Sequence, residues 1–247
     1  MAEAPAFYAR RGGRAADWWT LLHPPYTLWH LGYVALGAAV APQVDGTALA
    51  ASLLAFLLAV GVAAHALDEL QGRPLGTAIP PATLRFVAAV ALAGAVVLGV
   101  VGVLFHGPAN WALAVAVPVG AALVLGYNLE LLDGRLHTDA VFAWSWGGFP
   151  VVVGFLAQAP TFTPDSVTSV GAVTLAGVAL ASAQRSLSTA SRTVRRKVAR
   201  VEGELVWHDG RTDPVTKVTL VAPGERALLA LSWAVPLLAT GLLLAKA

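Results

Sequence analysis

Residues 84–105 read LRFVAAVALAGAVVLGVVGVLF. After Arg85 this stretch carries no charge and no alternation of polar and apolar residues, and it is long enough to cross a hydrocarbon layer ~30 Å thick as a helix. Six further stretches have the same character: Trp18–Val40, Thr47–Leu67, Trp111–Leu129, Ala140–Gln158, Ser166–Ala183 and Ala227–Ala245. In lipid every backbone polar group must be satisfied internally, so uninterrupted apolar runs of this length predict helices. The fold class expected is therefore all-α, a polytopic transmembrane helix bundle of about seven spans forming one domain over residues 1–247. Gly and Ala crowd the third and sixth spans, where small side chains let helices approach closely.

Composition agrees. Of 247 residues, 57% are hydrophobic and 12% charged, about half the charge of an ordinary soluble domain (~25%). That argues against an ordinary soluble enzyme, a disordered chain and a nucleic-acid binder. With no cysteine in the chain, disulfides, thiolate nucleophiles and Cys-ligated zinc or iron–sulfur centres are excluded. Abundant Ala and a preference for Arg over Lys point to a GC-rich bacterial genome, and hence to a bacterial plasma membrane.

Cations accumulate in cytoplasmic loops. Of the 16 Lys and Arg residues, only Lys246 falls on one side of the alternating seven-span threading. The others precede span 1, lie between spans 2 and 3 and between spans 4 and 5, or follow span 6. The N-terminus is thus expected in the cytoplasm and the C-terminus outside. Arg10, Arg11 and Arg14 precede a long apolar span with no small-residue cleavage site, unlike a signal peptide.

The polar residues gather at the same cytoplasmic ends. Span 2 closes with His65-Ala66-Leu67-Asp68-Glu69, then Gly72-Arg73-Pro74-Leu75. Spacings of three and four place His65, Asp68 and Glu69 on one helix face at the mouth of the bundle. Ionisable groups near membrane depth are costly and usually face a wet cavity. Span 4 ends in Tyr127-Asn128-Leu129-Glu130, the Asp133-Gly134 turn leads to Arg135, and His137-Thr138-Asp139 opens span 5. Asp133 suits the turn itself and Asp139 a helix N-terminus. After span 6 the chain can continue as a basic helix with Arg192, Arg195 and Arg196 in one turn, suited to binding phosphate or anionic lipid. Segments 204–208 and 215–221 then read as a β-hairpin, making residues 185–224 a basic cytoplasmic insert. Pro24-Pro25 should kink or restart span 1, and Trp18, Trp19, Tyr26 and Trp29 suit an interfacial belt or, as the second choice, the wall of an apolar tunnel.

On these residues the chain resembles the UbiA superfamily of intramembrane prenyltransferases. The likeness rests on Leu22-His23-Pro24-Pro25-Tyr26-Thr27 in the first span, the acidic cluster His65 to Glu69, and Arg73-Pro74-Leu75. Tyr127-Asn128-Leu129-Glu130 and the Gly147-Gly148…Pro150…Gly154 run of span 5 extend it. It covers roughly residues 18–160. Arg185 to Arg200 stand where the family has its second aspartate-rich motif, and the family usually has nine spans.

The resemblance implies a divergent prenyltransferase joining an isoprenoid diphosphate to a lipophilic acceptor among membrane lipids. Asp68, Glu69 and His65 would be catalytic. Asp68 and Glu69, with Glu130, would hold Mg²⁺. Arg73, Tyr127, Asn128, Arg135, Arg192 and Arg196 would bind substrate. Two alternatives stand beside it. His65, Asp68, Glu69, Glu130, His137 and Asp139 form a His/carboxylate set suited to Fe, Mn or Zn in a metal-dependent membrane enzyme. Or the fold serves a non-catalytic lipid-binding protein.

Overall fold

A computed structural model describes residues 5–106, 110–158 and 161–246. Among the described residues the regular structure is helical apart from one small hairpin. α1 (Arg14–Leu21) and α2 (Pro24–Ala39) are followed by α3 (Gly46–Leu70), α4 (Pro81–His106), α5 (Trp111–Asn128), α6 (Asp139–Leu156) and α7 (Pro164–Lys197). β1 (Glu204–Val206) and β2 (Thr212–Pro214) precede α8 (Lys217–Leu244). Six of these helices, α3 to α8, are long and apolar enough to cross a membrane.

The first expected span, Trp18–Val40, is two helices. His23 takes a left-handed conformation (φ 46°) and Pro24-Pro25 restart the chain as α2. With 16 residues α2 rises only ~24 Å, yet it lies at the centre of the bundle. Its Trp29, Tyr33 and Leu36 pack with Val151 of α6 and Leu228, Val235 and Ala239 of α8. Trp29 is fully buried, so it is a core residue and no part of an interfacial belt.

Threading alternates from end to end. Near the N-terminal end, Arg10 meets Thr20 just before α2. At the far end, the Lys246 ammonium donates to the Ala41 carbonyl just past α2. Gln158 and Asn110 also tie helix ends together there, accepting from Asp45 N (2.7 Å) and donating to Leu156 O (2.9 Å). Residues 107–109 and 159–160, in two of the three connections without Lys or Arg expected at that end (after spans 1, 3 and 5), lie outside the described residues.

Close packing at α2 and α6 depends on two glycines. A Cβ on Gly37 would lie 1.9 Å from the Val151 carbonyl oxygen, and one on Gly154 would lie 2.0 Å from that of Val34. Without a hydrophobic force between helices in lipid, such contact is a main source of association energy.

Two helices carry π-helical segments, Leu57–Ala64 within α3 and Trp144–Gly148 within α6. Such bulges cost helix regularity and often mark functional sites. The basic stretch after span 6 does continue as helix. α7 rises ~51 Å over its 34 residues, well beyond a hydrocarbon layer of ~30 Å. The hairpin differs from the sequence expectation. Its second strand is Thr212–Pro214, because Thr216 and Thr219 form a capping box that starts α8 at Lys217 and takes up most of residues 215–221.

Gly154→Ala should therefore lower the thermal unfolding midpoint of the purified protein in lipid nanodiscs, overpacking costing about 1–3 kcal/mol. Gly171→Ala, where an added Cβ meets nothing within 4 Å, should leave the midpoint unchanged.

Candidate functional site

The near end of the bundle encloses a cavity of about 170 Å³. Its wall is built from α2 (Tyr26, His30), α3 (His65, Asp68), α5 (Tyr127, Asn128) and α7 (Gln184, Ser188, Arg192, Arg196), with His23, His137 and Tyr8 from the connecting segments. The α7 residues recur at four-residue steps, which puts them on one face of that helix. The neighbouring Arg195 points the other way, into a bidentate ion pair with Glu225 of α8 that both partners keep largely buried. This pair fixes the α7 extension so that Arg192 and Arg196 stay over the cavity.

Of the residues expected to carry function, the structure gathers His65, Asp68, Tyr127, Asn128, His137, Arg192 and Arg196 around this cavity. It places five others elsewhere. Glu69 is completely buried, and its carboxylate accepts from Leu75 N (2.9 Å), Thr77 N (2.8 Å) and Thr77 Oγ1 (2.9 Å). Arg73, at φ 55°, donates to the carbonyls of Thr77 and Ile79. Together these two shape the loop between α3 and α4. Glu130 and Arg135 are exposed in the turn after α5. Asp139 is exposed and paired with Arg185 at 2.8 Å. The face expected to unite Asp68 and Glu69 thus divides, since adjacent residues diverge by about 100° around a helix.

The Mg²⁺ expected from Asp68, Glu69 and Glu130 does not fit this arrangement. Both Glu69 oxygens are taken by the loop, Glu130 lies outside, and Asp68 is the one carboxylate lining the cavity among the described residues. Nor does the Fe, Mn or Zn set converge. The His65 ring stacks on His23 with centroids 4.1 Å apart, and the His137 ring stacks on Tyr127 at 4.4 Å. No group of three or more His, Asp and Glu among the described residues is placed to hold a metal ion.

What the cavity does offer is positive charge and unpaired polar groups. The side chains of Arg185, Arg192 and Arg196 reach it against Asp68. His23 Nε2, His30 Nε2, Tyr127 Oη and Gln184 Oε1 are buried and have no hydrogen-bond partner among the described residues. Each such group costs about 1–3 kcal/mol unless water or a ligand satisfies it. His30 Nδ1 lies 2.6 Å from the Tyr26 carbonyl, so it carries the proton and Nε2 presents a lone pair.

A second cavity, of about 230 Å³, is almost wholly apolar and lies between α3, α4, α5 and α6. Ala55, Leu92, Gly99, Val117, Gly120 and Phe149 line it, and it reaches Thr47 and Ala157 at the far end. Val60 and Trp146 belong to the walls of both cavities, and both sit in the π-helical segments. Measured along α3, Thr47 to Val60 is about 20 Å of helix.

Sequence reasoning missed His30, Gln184 and Tyr8. His30 was legible as an ionisable residue inside an apolar span, one helical face along from His23 and Tyr26. Gln184 lies eight residues before Arg192, on the arginine face. Tyr8 precedes every helix, and no periodicity points to it. No family model matches this chain, and no curated protein or solved structure matches it.

Replacing Glu69 by Ala should lower the thermal midpoint, the unsatisfied loop groups costing about 1–3 kcal/mol. Asp68→Asn should leave that midpoint unchanged. Scanning calorimetry of the two variants separates the structural acid from the cavity acid.

Proposed function

We propose that this chain is a divergent UbiA-like membrane prenyltransferase, binding an isoprenoid diphosphate at the arginine-lined cavity and joining its prenyl group to a lipophilic acceptor. The observation that carries this reading is that Val60 and Trp146 wall both cavities, so that the two lie side by side. A polar chamber lined by guanidinium groups meets an apolar one that follows the helices for most of the bilayer. An amphipathic molecule with an anionic head and a long hydrocarbon tail matches both.

In the transfer, the bond between the prenyl C1 and the diphosphate oxygen breaks, and the electron pair leaves with the diphosphate. Arg192 and Arg196 stabilise that growing negative charge in a water-poor site. The acceptor forms the new bond to C1, and its proton passes to the Asp68 carboxylate. The prenyl chain lies between α3, α4, α5 and α6, among small and aliphatic side chains that impose no polar contact. The cation asymmetry supports an N-terminus in the cytoplasm of a bacterium, with this chamber on the inner leaflet.

A second reading is favoured by one specific observation, the single carboxylate of the chamber. Under it the same two cavities hold the lipid without turning it over.

Isothermal titration of the nanodisc-embedded protein with geranylgeranyl diphosphate tests the binding. Arg192→Ala should weaken it about tenfold or more, the loss of a charge-assisted contact. Val117→Trp, which narrows the apolar cavity alone, should abolish the contribution of the tail while leaving inorganic pyrophosphate binding unchanged. If neither variant alters affinity, the reading fails. Release of pyrophosphate in the presence of membrane extract as acceptor source supports transfer; binding without release supports the second reading.

A further inference from the structure

Residues 5–10 form no helix and border the chamber. Ala6 is 7% exposed and, with Tyr8, lines the cavity. The Tyr8 ring lies 5.1 Å from that of His23 and 5.5 Å from that of Tyr26. The far root of this segment is firmly tied. Arg10 N donates to Thr20 Oγ1 (2.9 Å), Thr20 Oγ1 donates to Arg10 O (3.1 Å), and the Arg10 guanidinium sits 3.9 Å from the centre of the Trp19 ring. Trp19 Nε1 donates to Tyr8 O (3.1 Å). At its other end, Arg196 Nε donates to Pro5 O (3.3 Å). Arg196 is also one of the arginines lining the chamber.

We propose that residues 5–10 form a strap that closes over a bound anionic head group, with Tyr8 as a ligand-contacting residue and Arg196 as the bridge between ligand and strap. A guanidinium has five N–H donors in a planar fork. Nε of Arg196 holds the strap carbonyl while its two terminal nitrogens remain for phosphate oxygens. Ordering of that fork by the ligand orders the strap in turn. Removal from water, reinforced by Tyr26, pushes the Tyr8 phenol well above its ordinary value of 10, against the opposing pull of Arg196 and Arg192. Tyr8 is therefore an O–H donor at neutral pH, facing the same charges as the incoming head group. This inference rests on the chamber binding an anionic head, and it assigns that site a wall and a donor from the N-terminal segment.

The absence of cysteine in the chain makes a single introduced thiol a clean reporter. The rate of N-ethylmaleimide reaction is measured for Ala6→Cys and for the exposed control Ala15→Cys, in the full chain in nanodiscs, with and without inorganic pyrophosphate. Calorimetry on the same samples establishes whether pyrophosphate binds. Saturating pyrophosphate should slow modification at position 6 about fivefold or more and leave position 15 unchanged. Arg196→Lys retains the charge but lacks the fork, so at pyrophosphate concentrations that calorimetry shows to be saturating for this variant, protection at position 6 should be lost. Tyr8→Phe should weaken pyrophosphate binding about tenfold. Should Ala6→Cys fail to fold, tryptic cleavage after Arg10 and Arg11 in the unaltered chain gives the same reading, slowed by pyrophosphate. Pyrophosphate binding with no protection of the strap overturns this proposal and leaves the anion site standing. No pyrophosphate binding overturns both.

Discussion

Cationic side chains crowd one end of an apolar bundle, and Asp68 alone among the carboxylates of the described residues shares their chamber. Keeping guanidinium groups near membrane depth is costly unless a counter-charge or water meets them. The structure sustains this arrangement through parts distant from the chamber. The Arg195–Glu225 ion pair fixes the α7 extension against α8. Glu69 and Arg73 shape the loop that carries Pro74 and Leu75 to the chamber wall. Gly37 and Gly154 bring α2 and α6 so close that His23, Tyr26 and His30 stand across from Trp146. The excess of positive charge is thus a built property of the site.

A polar chamber at a helix-bundle end is common, and an apolar cleft in a membrane protein is unremarkable by itself. Their adjacency, with Val60 and Trp146 walling both, is what narrows the chemistry. Val60 and Trp146 lie in the two π-helical segments, where the helical register shifts and side chains that a regular α-helix would aim elsewhere reach the cavity walls. A ligand occupying both chambers must change character from anion to hydrocarbon at that level. The unpaired His30, Tyr127 and Gln184 atoms lie on the polar side of the boundary.

Much of the architecture was legible in the sequence because the bilayer imposes a simple rule of length and polarity. The apolar runs mark the helices, the Pro24-Pro25 break marks the restart of α2, and the arginines after span 6 do continue α7. What escaped depends on contacts distant in sequence. Nothing local distinguishes Asp68 from Glu69, and only the Thr77 and Leu75 amides of the following loop decide which carboxylate becomes structural. Trp29 reads as a belt residue until α8 covers it. Glu130 and Arg135 follow the span that holds Tyr127 and Asn128, but the positive-φ residues Glu130, Leu132 and Asp133 turn the chain out into solvent. The π-helical segments left no signal either, one lying in the Ala/Val-rich run Leu57–Ala64 and the other in Trp144–Gly148.

The most direct test is a density map of the nanodisc-embedded protein with geranylgeranyl diphosphate bound. The account predicts phosphate density at Arg192 and Arg196 and a tail passing between Val60 and Trp146 into the space bounded by Gly99, Gly120 and Phe149. A head group lodged away from those arginines, or a tail lying on the outer surface of the bundle, would contradict it.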